Sequence, residues 1–278
     1  MERHGSPTPP PPAVLDAFGA LGDPVLLKGG QGQTYRAGDA VFKPVPPTPV
    51  HDWIAATMST VEQDGFRLAR PLRTRQGAWN HAGWAAWEYI EGFLAHGRWR
   101  TGIDTCLRFH RALAGIPRPA CFDADHNPWT VADRVSWDEE PLELAPRIAP
   151  QVHRLRRVLR PLDGEIQLSH GDFGDRNLLF HTDLPPAVLD MSPFWRPAGL
   201  AVGVLVADAI VWEGAPTALV EWAGEVADFP QYLARAELRR VIELQTVEAG
   251  LGWPMLDQID AHVPLIDLIC RLCRRAAV

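Results

Sequence analysis

Polar residues crowd one short segment between two apolar stretches. Residues 170–177 read HGDFGDRN between EIQL and LLF, and Asp190 follows directly after the apolar run AVL. A carboxylate at the end of a buried strand is costly unless something pairs with it. Mg²⁺ binds one or two carboxylates, an amide oxygen, water and phosphate oxygens. Asn177 and Asp190 are therefore candidate Mg²⁺ ligands, and Asp172 is a candidate base that orients a hydroxyl and accepts its proton.

The same segment also has a purely structural interpretation. His170 and Asp175 would then cap backbone groups of a buried polar turn. Asp175 and Arg176 either form a local surface ion pair, or Arg176 contacts a phosphate. The triplet HGD alone is a weak signal. The pattern HGDxxxxN between apolar strands, followed by a strand-end aspartate, favours the chemical interpretation.

The motif HGDxxxxN at residues 170–177 resembles the catalytic loop of the aminoglycoside phosphotransferase and choline kinase-like family, whose fold is protein kinase-like. The resemblance implies that Asp172 is the catalytic base and that Asn177 and Asp190 bind Mg²⁺. It also implies ATP as the phosphoryl donor and a hydroxyl of a small molecule as the acceptor. Phosphoryl transfer depends mainly on positioning and charge neutralisation, so a small set of residues suffices.

Two further residues take supporting roles from this resemblance. His170 precedes the catalytic glycine and would organise the loop. Asp208, in LVADAI, resembles the helix aspartate that supports the catalytic loop in the family. Neither residue is expected to act as an acid or base.

The nucleotide grip is predicted in the first third of the chain. GGQGQ at 29–33 lies between two predicted strands, and Gly30, Gln31 and Gly32 would let backbone N–H groups approach phosphates. It is not a Walker A loop, and glycine also serves plain hairpin turns. Lys43 stands in the apolar strand AVFKPV, where a lysine either reaches water from a sheet edge or contacts phosphate. The family's phosphate-contacting lysine lies on the equivalent strand.

One departure from the family concerns the partner of Lys43. A glutamate on the next helix usually pairs with that lysine, but HDWIAATMSTVEQDG offers only Asp52 and Glu62, at opposite ends. Either one of them substitutes, or Lys43 is held by another group. The segment WEYIEGF is predicted to be the hinge between lobes. Backbone groups of Glu88, Tyr89 and Ile90 would meet the adenine there.

The acceptor site is predicted from an acidic segment. Between Cys121 and Leu144 the only basic side chain of Lys or Arg type is Arg134, against seven acids: Asp123, Asp125, Asp133, Asp138, Glu139, Glu140 and Glu143. Acids pair with ammonium groups and tryptophans offer a cation–π face, so an amino sugar, aminoglycoside or amine is a candidate acceptor. The alternative is a solvated acidic loop whose tryptophans pack on the core. The candidate acceptor-binding residues are Trp129, Asp133, Trp137, Trp195 and Arg196.

The elements that must position these residues follow from hydrophobic periodicity. Residues 1–12 form a proline-rich tail that is expected to be disordered. Residues 13–90 predict strands around one helix, including a hairpin at Gly38-Asp39, and residues 91–278 predict a helix-rich lobe interrupted by the strand–loop–strand unit near residue 170. The expected fold class is α+β, with a small β-rich N-terminal lobe and a larger α-helical C-terminal lobe.

Composition excludes several other classes of protein. The chain has 278 residues and a formal net charge of -7, so a general nucleic-acid grip is not expected. No apolar run reaches the ~18 residues of a membrane span. There is no secretory-type N-terminus, so the predicted location is the cytoplasm. The histidines show no HxxxH or HExxH spacing, which gives no zinc motif.

The leading hypothesis is therefore an ATP- and Mg²⁺-dependent phosphotransferase with a small-molecule acceptor. A pseudokinase or nucleotide-binding regulatory module is the alternative, because the helix glutamate is missing. A protein kinase is disfavoured, since HGD replaces HRD and no APE segment follows Asp190.

Overall fold

The N-terminal lobe is built around one antiparallel sheet. The computed structural model describes residues 8–28 and 32–275. The sheet has the strand order β1-β2-β3-β6-β5. The bounds are β1 (Val25–Leu26), β2 (Tyr35–Ala37), β3 (Ala40–Pro44), β5 (Pro71–Leu72) and β6 (Trp84–Glu88).

The β2–β3 hairpin has the predicted turn. Ala37 pairs with Ala40, so Gly38 and Asp39 form a two-residue loop, and Gly38 has a φ of 59°. A positive φ at this position favours glycine because it has no Cβ. Lys43 lies on β3, opposite Ala85 of the neighbouring strand β6. The hairpin therefore holds Lys43 in the middle of the sheet.

Two helices flank this sheet. Helix α1 (Pro12–Phe18) begins inside the segment expected to be a tail, and Pro10 is already buried. Helix α2 (Pro49–Met58) begins at Thr48, whose hydroxyl accepts the His51 N–H at 3.1 Å. It ends at Met58, before Glu62, which the sequence analysis placed at the far end of this helix. Glu62 consequently lies outside α2.

A small three-stranded sheet joins the two halves of the chain. Strand β4 (Arg67–Leu68) pairs in parallel with β9 (Ala187–Val188), which pairs antiparallel with β8 (Leu178–Leu179). Further on, β7 (Ile166–His170) pairs antiparallel with β10 (Pro193–Pro197). These two short ribbons hold the segment around residue 170.

The C-terminal lobe is helical, as the periodicity predicts. Helix α8, of 23 residues, is its centre and packs against α4, α6, α5 and α9. The bounds are α3 (Trp99–Ala112), α4 (Pro128–Ser136), α5 (Ala149–Arg156), α6 (Gly199–Trp212), α7 (Leu219–Trp222), α8 (Phe229–Leu251) and α9 (Ile259–Arg275). The predicted α+β class, with a β-rich N-terminal part and a helical C-terminal part, is confirmed. Across residues 8–28 and 32–275, no helix combines the length and apolarity that a bilayer crossing requires.

Candidate active site

His170 anchors the segment that follows β7. Its Nε2 lies 3.0 Å from the Leu189 carbonyl oxygen, and its Nδ1 accepts the Asp172 backbone N–H at 3.2 Å. This pattern requires the neutral tautomer with the proton on Nε2. Burial lowers the pKa of His170, which favours that neutral form. The imidazole thus ties the backbone of Asp172 to the strand end that carries Asp190.

Gly171 is required by close packing. A Cβ at this position would stand 1.9 Å from the Phe194 ring, which no side chain tolerates. Its N–H donates to the Ser192 carbonyl at 2.8 Å, and its carbonyl accepts from the Arg239 guanidinium. The glycine of HGD therefore lets the catalytic segment lie directly against β10.

The Asp172 carboxylate is held by two donors. Arg240 Nη2 donates to Oδ1 at 2.7 Å, and Asn177 Nδ2 donates to Oδ2 at 3.1 Å. About half of the side chain, 53%, remains exposed. Burial of part of the group raises its pKa, but the Arg240 guanidinium outweighs this and holds the pKa of Asp172 well below its usual range. Asp172 is therefore ionised at neutral pH.

Asn177 precedes β8 and Asp190 follows β9, so the two residues lie at the same end of this strand pair. The Leu189 N–H donates to the Asn177 carbonyl at 2.9 Å, which places the residue before Asp190 beside Asn177. The Asn177 side-chain nitrogen also donates to the Asp172 carbonyl at 2.7 Å, which leaves the amide Oδ1 to face another partner. Asp190 has a φ of 51°, a left-handed conformation that turns its carboxylate out of the strand. An amide oxygen and a carboxylate fit Mg²⁺, which prefers hard oxygen ligands.

Lys43 is held by Asp190 and not by an acid of α2. Its ammonium forms an ion pair with Asp190 Oδ1. Asp52 lies in the first turn of α2 and Glu62 beyond its end, and neither pairs with Lys43 in the described part of the chain. Of the alternatives that the sequence left open, the structure therefore has the one in which a group other than Asp52 or Glu62 holds the lysine.

A cleft of about 260 Å³ lies between the N-terminal sheet and the β8–β9 ribbon. Lys43, Asp190, Arg176 and the hinge segment 88–90 all line it. Gly30 and Gln31 lie outside the described residues. Gly32 has a φ of 71°, but it does not line the cleft, whereas Leu27 and Lys28, just before this loop, do.

Backbone donors of the hinge segment are partly used already. The Glu88 N–H donates to the Arg70 carbonyl and the Tyr89 N–H donates to the Asp39 carbonyl, both at 2.8 Å. These bonds continue the sheet, so the two N–H groups are unavailable to a ligand. Among the predicted hinge residues, Ile90 is the one whose N–H remains open to the cleft within the described chain.

Two arginines of α8 belong to this site, and sequence reasoning missed both. Arg240 donates to Asp172, to Asp208 and, at 2.7 Å, to Glu243. Burial raises the pKa of Asp208 to about 6 although Arg240 opposes the rise, so Asp208 is still ionised at neutral pH. Asp208 therefore reaches the catalytic segment through Arg240. The available signal was the pair of adjacent arginines between apolar residues in LRRV, because a buried arginine needs partners.

The sequence predicted either an ion pair between Asp175 and Arg176 or a phosphate contact by Arg176. Asp175 is buried and Arg176 is exposed, and the two form no ion pair in the described structure. Arg176 lines both the cleft that contains Lys43 and a cavity of about 490 Å³ that also contains Asp172 and Asn177. The guanidinium therefore stands where the two spaces meet.

A second cavity of about 360 Å³ opens on the other side of Asp172. Asp125, Trp129 and Glu243 line it, together with Arg239 and Arg240. Met191 lines both this cavity and the cleft that contains Lys43, so the two spaces adjoin. A molecule in the second cavity would face Asp172 from the side opposite to the hinge.

Five of the seven acids between residues 121 and 144 have arginine partners, most of them from elsewhere in the fold. Arg118 pairs with Asp123, Arg156 with Asp138, and Arg134 with Glu140. The segment is thus far less negative than its composition indicates. Asp125 differs, because its recorded side-chain partner is the neutral amide of Asn127, at 3.1 Å.

The five predicted acceptor-binding residues divide into two groups. Trp129 lines the cavities on both sides of Asp172. Trp195, Asp133 and Arg196 line a neighbouring space of about 300 Å³. Asp133 is committed to a buried ion pair with Arg196 at 2.7 Å, and Trp137 packs beneath the Arg196 guanidinium, 4.8 Å from ring to Cζ.

Comparison with known proteins matches these features to one family. The model of the phosphotransferase enzyme family matches residues 25–191. No curated protein matches the chain significantly.

Solved structures share the fold at low sequence identity. An amicoumacin kinase in complex with AMP-PNP and Ca²⁺ is 12% identical, with a TM-score of 0.58 over 91% of this chain and 90% of that one. A spectinomycin phosphotransferase bound to AMP is 13% identical, with a TM-score of 0.61 over 93% and 96%. A microcompartment-associated aminopropanol kinase is 16% identical, with a TM-score of 0.57 over 91% of each chain.

Proposed function

The chain belongs to the phosphotransferase enzyme family, and from this premise we propose that it transfers the γ-phosphoryl group of ATP to a hydroxyl of an amine-bearing small molecule. That the protein is a small-molecule phosphotransferase rests on the family and on its fold. The identity of the donor, the metal and the acceptor is the proposal. The observation that carries it is the set Lys43, Asp190, Asn177 and Asp172, whose members line three adjoining cavities.

The donor is assigned to the cleft beside the hinge. Neighbours of the same fold hold AMP-PNP or AMP, which supports an adenine nucleotide in this cleft. The Ile90 N–H is the hinge donor open to an adenine ring, while Lys43 and Arg176 would contact the phosphates. The Lys43–Asp190 ion pair opens when nucleotide binds, because the ammonium then exchanges the carboxylate for phosphate oxygens.

Asn177 and Asp190 would hold Mg²⁺. When bound, the ion neutralises charge on the β- and γ-phosphates. Asn177 is fixed for this role because its amide nitrogen is used by Asp172, so its oxygen points away. Asp190 becomes available once Lys43 has turned to the nucleotide.

Asp172 orients the acceptor hydroxyl and receives its proton. The low pKa of Asp172 makes it a weak base, which suits a reaction whose transition state has little bond formation to the nucleophile. Its main contribution is then to hold the hydroxyl in line with the γ-phosphate, and the proton transfers late. The exposed half of the carboxylate faces the space where the acceptor would stand.

The acceptor is assigned to the cavity of about 360 Å³ on the far side of Asp172. Asp125 would pair with an ammonium group there, and Trp129 would offer a cation–π face. The named acceptors of the structural neighbours, spectinomycin and aminopropanol among them, support a hydroxylated small molecule. The size of the cavity favours a single amino sugar ring or a short amino alcohol.

The test is an ADP-release screen with Mg-ATP against amino sugars, aminoglycosides, amino alcohols and matched neutral sugars. We expect turnover with amine-bearing compounds, at least ~100-fold less with Asp172→Asn and nearly unchanged ATP binding in that variant. The matched control is Asp104→Asn, an exposed aspartate of α3. Full turnover by Asp172→Asn would remove this residue from the mechanism.

A nucleotide-binding regulatory module is the second candidate, because Arg240 already occupies one oxygen of the proposed base. In that case Mg-ATP would bind and raise the melting temperature, but no acceptor would release ADP. The same screen therefore separates the two functions when it is run beside a calorimetric titration with Mg-ATP.

A further inference from the structure

Three residues with metal-ligating side chains come together from distant parts of the chain. His96 lies in the linker between β6 and α3, Asp175 in the short 3-10 turn Asp175–Asn177, and Glu213 directly after α6. One ligand atom of each residue lies within 4.8 Å of the other two. His96 Nδ1 and Asp175 Oδ2 are 3.9 Å apart. None of these residues is assigned a role in phosphoryl transfer.

The Asp175 carboxylate is the observation that calls for a cation. Its side chain is only 2% exposed, and although the Gly97 N–H and the Glu213 carboxyl lie nearby, neither oxygen has a hydrogen-bond donor in suitable geometry. The neighbour on one side is a second carboxylate, Glu213. Within residues 8–28 and 32–275, no lysine or arginine pairs with either group. A buried carboxylate without partners is costly, and a second carboxylate beside it raises that cost.

We propose that His96, Asp175 and Glu213 bind one divalent transition-metal ion, with Zn²⁺ as the best match. One imidazole nitrogen and two carboxylate oxygens, with water at the fourth position, form a common zinc ligand set. Tetrahedral zinc with bonds of ~2.0–2.2 Å places its ligand atoms about 3.3 Å apart. The distance from His96 Nδ1 to Asp175 Oδ2 would therefore contract by roughly half an ångström, and no pair of ligand atoms would contract by more than about one and a half.

The surroundings of the three residues allow this contraction. The His96 side chain is 80% exposed and lies next to Gly97, whose φ is 82°, so its ring can turn inward. Glu213 is held from behind, because the Trp99 indole N–H donates to Oε2 at 2.7 Å. Partners of this kind fix the orientation of a metal ligand. Metal binding would therefore require the His96 side chain to move, while the two carboxylates keep their positions.

Bound metal would join the interlobe linker to the catalytic turn. Asp175 stands three residues after Asp172 and two before Asn177, so its position sets theirs. Sequence spacing gave no zinc motif because the ligands are contributed singly by three segments, far apart in the chain. The site is independent of the proposed acceptor and donor.

Zinc binding to the untagged, chelator-treated protein without nucleotide tests the proposal, with a chromophoric chelator as competitor. We expect one Zn²⁺ per chain and at least ~10-fold weaker binding in His96→Ala and in Glu213→Gln. Glu213→Gln keeps an oxygen for the Trp99 indole, and its melting temperature without zinc verifies that it folds. Asp190→Asn should bind zinc as the wild type does, which separates this site from the proposed Mg²⁺ site.

His126→Ala is the matched control, because His126 is also exposed and also lies near a glutamate, 3.6 Å from Glu140. It should leave zinc binding unchanged. The proposal is overturned if the wild type takes up no zinc, in which case Asp175 and Glu213 share a proton. Equal zinc affinity in wild type, His96→Ala and Glu213→Gln would overturn it as well.

Discussion

Arg240 is the side chain on which the site's charge balance depends. Its guanidinium meets three acids, Asp172, Asp208 and Glu243, from the middle of α8. A planar guanidinium offers five N–H groups in a fixed fork, so it can serve three carboxylates at once, and an ammonium cannot. Its removal would leave Asp208 buried without a partner and would free Asp172 to rotate. Arg240 therefore positions the proposed base and does not itself touch the phosphoryl group.

Arg240→Lys is expected to lower kcat by up to ~100-fold, the order that a misplaced catalytic group costs. The acidic limb of the pH profile should move to higher pH. The reason is that Arg240 opposes the burial that raises the pKa of Asp208 to about 6, so a weaker partner lets this pKa rise further within the measured range. Mg-ATP affinity should change little, because Arg240 does not line the hinge-side cleft. The measurement is kcat and kcat/KM from pH 5 to 9.

Arg235→Lys is the control for this substitution. Arg235 lies one turn earlier on α8 and donates to the Ser136 carbonyl, away from Asp172. An unchanged acidic limb in Arg240→Lys, or an equal shift in Arg235→Lys, would contradict a positioning role for Arg240.

At the scale of elements, α3 and β7 are joined by a buried polar seam. His110 Nδ1 faces the Cys106 carbonyl at 2.7 Å, and its Nε2 accepts the His170 N–H at 3.0 Å. The Gln167 side-chain amide donates to the His110 carbonyl at 2.7 Å. The imidazole must stay neutral to accept at Nε2. Burial lowers the pKa of His110 to about 4, and this seam holds the strand that presents His170.

This seam predicts an acid-sensitive part of the stability. His110 has a folded pKa below its unfolded value of 6.5, so the unfolded chain binds more protons between pH 6.5 and 4. The stabilisation is therefore complete above pH 6.5 and is lost as the pH falls through 4. The loss amounts to about 3 kcal/mol at pH 4.

The measurement is urea unfolding of the wild type and His110→Gln from pH 7 to 4. The difference between the two curves should shrink by that amount toward pH 4. His153→Gln, at an exposed histidine of α5, should follow the wild type. Parallel curves for wild type and His110→Gln would show that the His110 proton equilibrium does not differ between the folded and unfolded states.

Element types followed from the sequence more readily than element ends. The turn residues Gly38-Asp39 predicted the hairpin of β2 and β3 correctly. The helical stripe of α2 was predicted too long. Ser59 and Thr60 donate their hydroxyls to the carbonyls of Ala56 and Thr57, and such local bonds compete with the helical pattern. The apolar Val61 continued the stripe beyond the point where the backbone had already turned.

The site divides in the same way. Asp172, Asn177 and Asp190 could be proposed from the sequence because they lie close together in the chain, beside apolar strands. Arg240 could not, because it is 68 residues from Asp172 and its role depends on how α8 packs. The acidic segment was misleading for the same reason. Its arginine partners, such as Arg156 and Arg196, come from other elements, so the segment's own charge count overstated its affinity for amines.

At the scale of the molecule, the two lobes are in contact both behind the cleft and within it. Strand β4 pairs with β9, the Arg67 N–H donates to the Pro186 carbonyl at 2.7 Å, and Lys43 of the small sheet pairs with Asp190 of the large lobe. The first two contacts are backbone bonds that persist whatever the cleft contains. The third is made by the two side chains that the donor and its metal would need. The lobes are thus joined permanently behind the cleft and by an exchangeable ion pair within it.

The Lys43–Asp190 ion pair should therefore matter more for binding than for stability. Both side chains are partly exposed, at 22% and 41%, and ion pairs of this kind contribute about 1 kcal/mol or less. Lys43→Met should consequently change the melting temperature of the free protein by only a few degrees. Saturation at 100 times the Kd stabilises a protein by about 2.7 kcal/mol, and a tenfold loss of affinity at the same concentration reduces this to about 1.4 kcal/mol. We expect the Mg-ATP-induced rise in melting temperature to fall by about half in Lys43→Met, as measured by thermal unfolding at fixed nucleotide.

Lys28→Met, at the other lysine that lines the cleft, controls for the loss of one positive charge and should retain more of the rise. If Lys43→Met kept the full rise, or if it destabilised the free protein as strongly as it weakened binding, the ion pair would be a structural link and the cleft would hold its nucleotide by other groups.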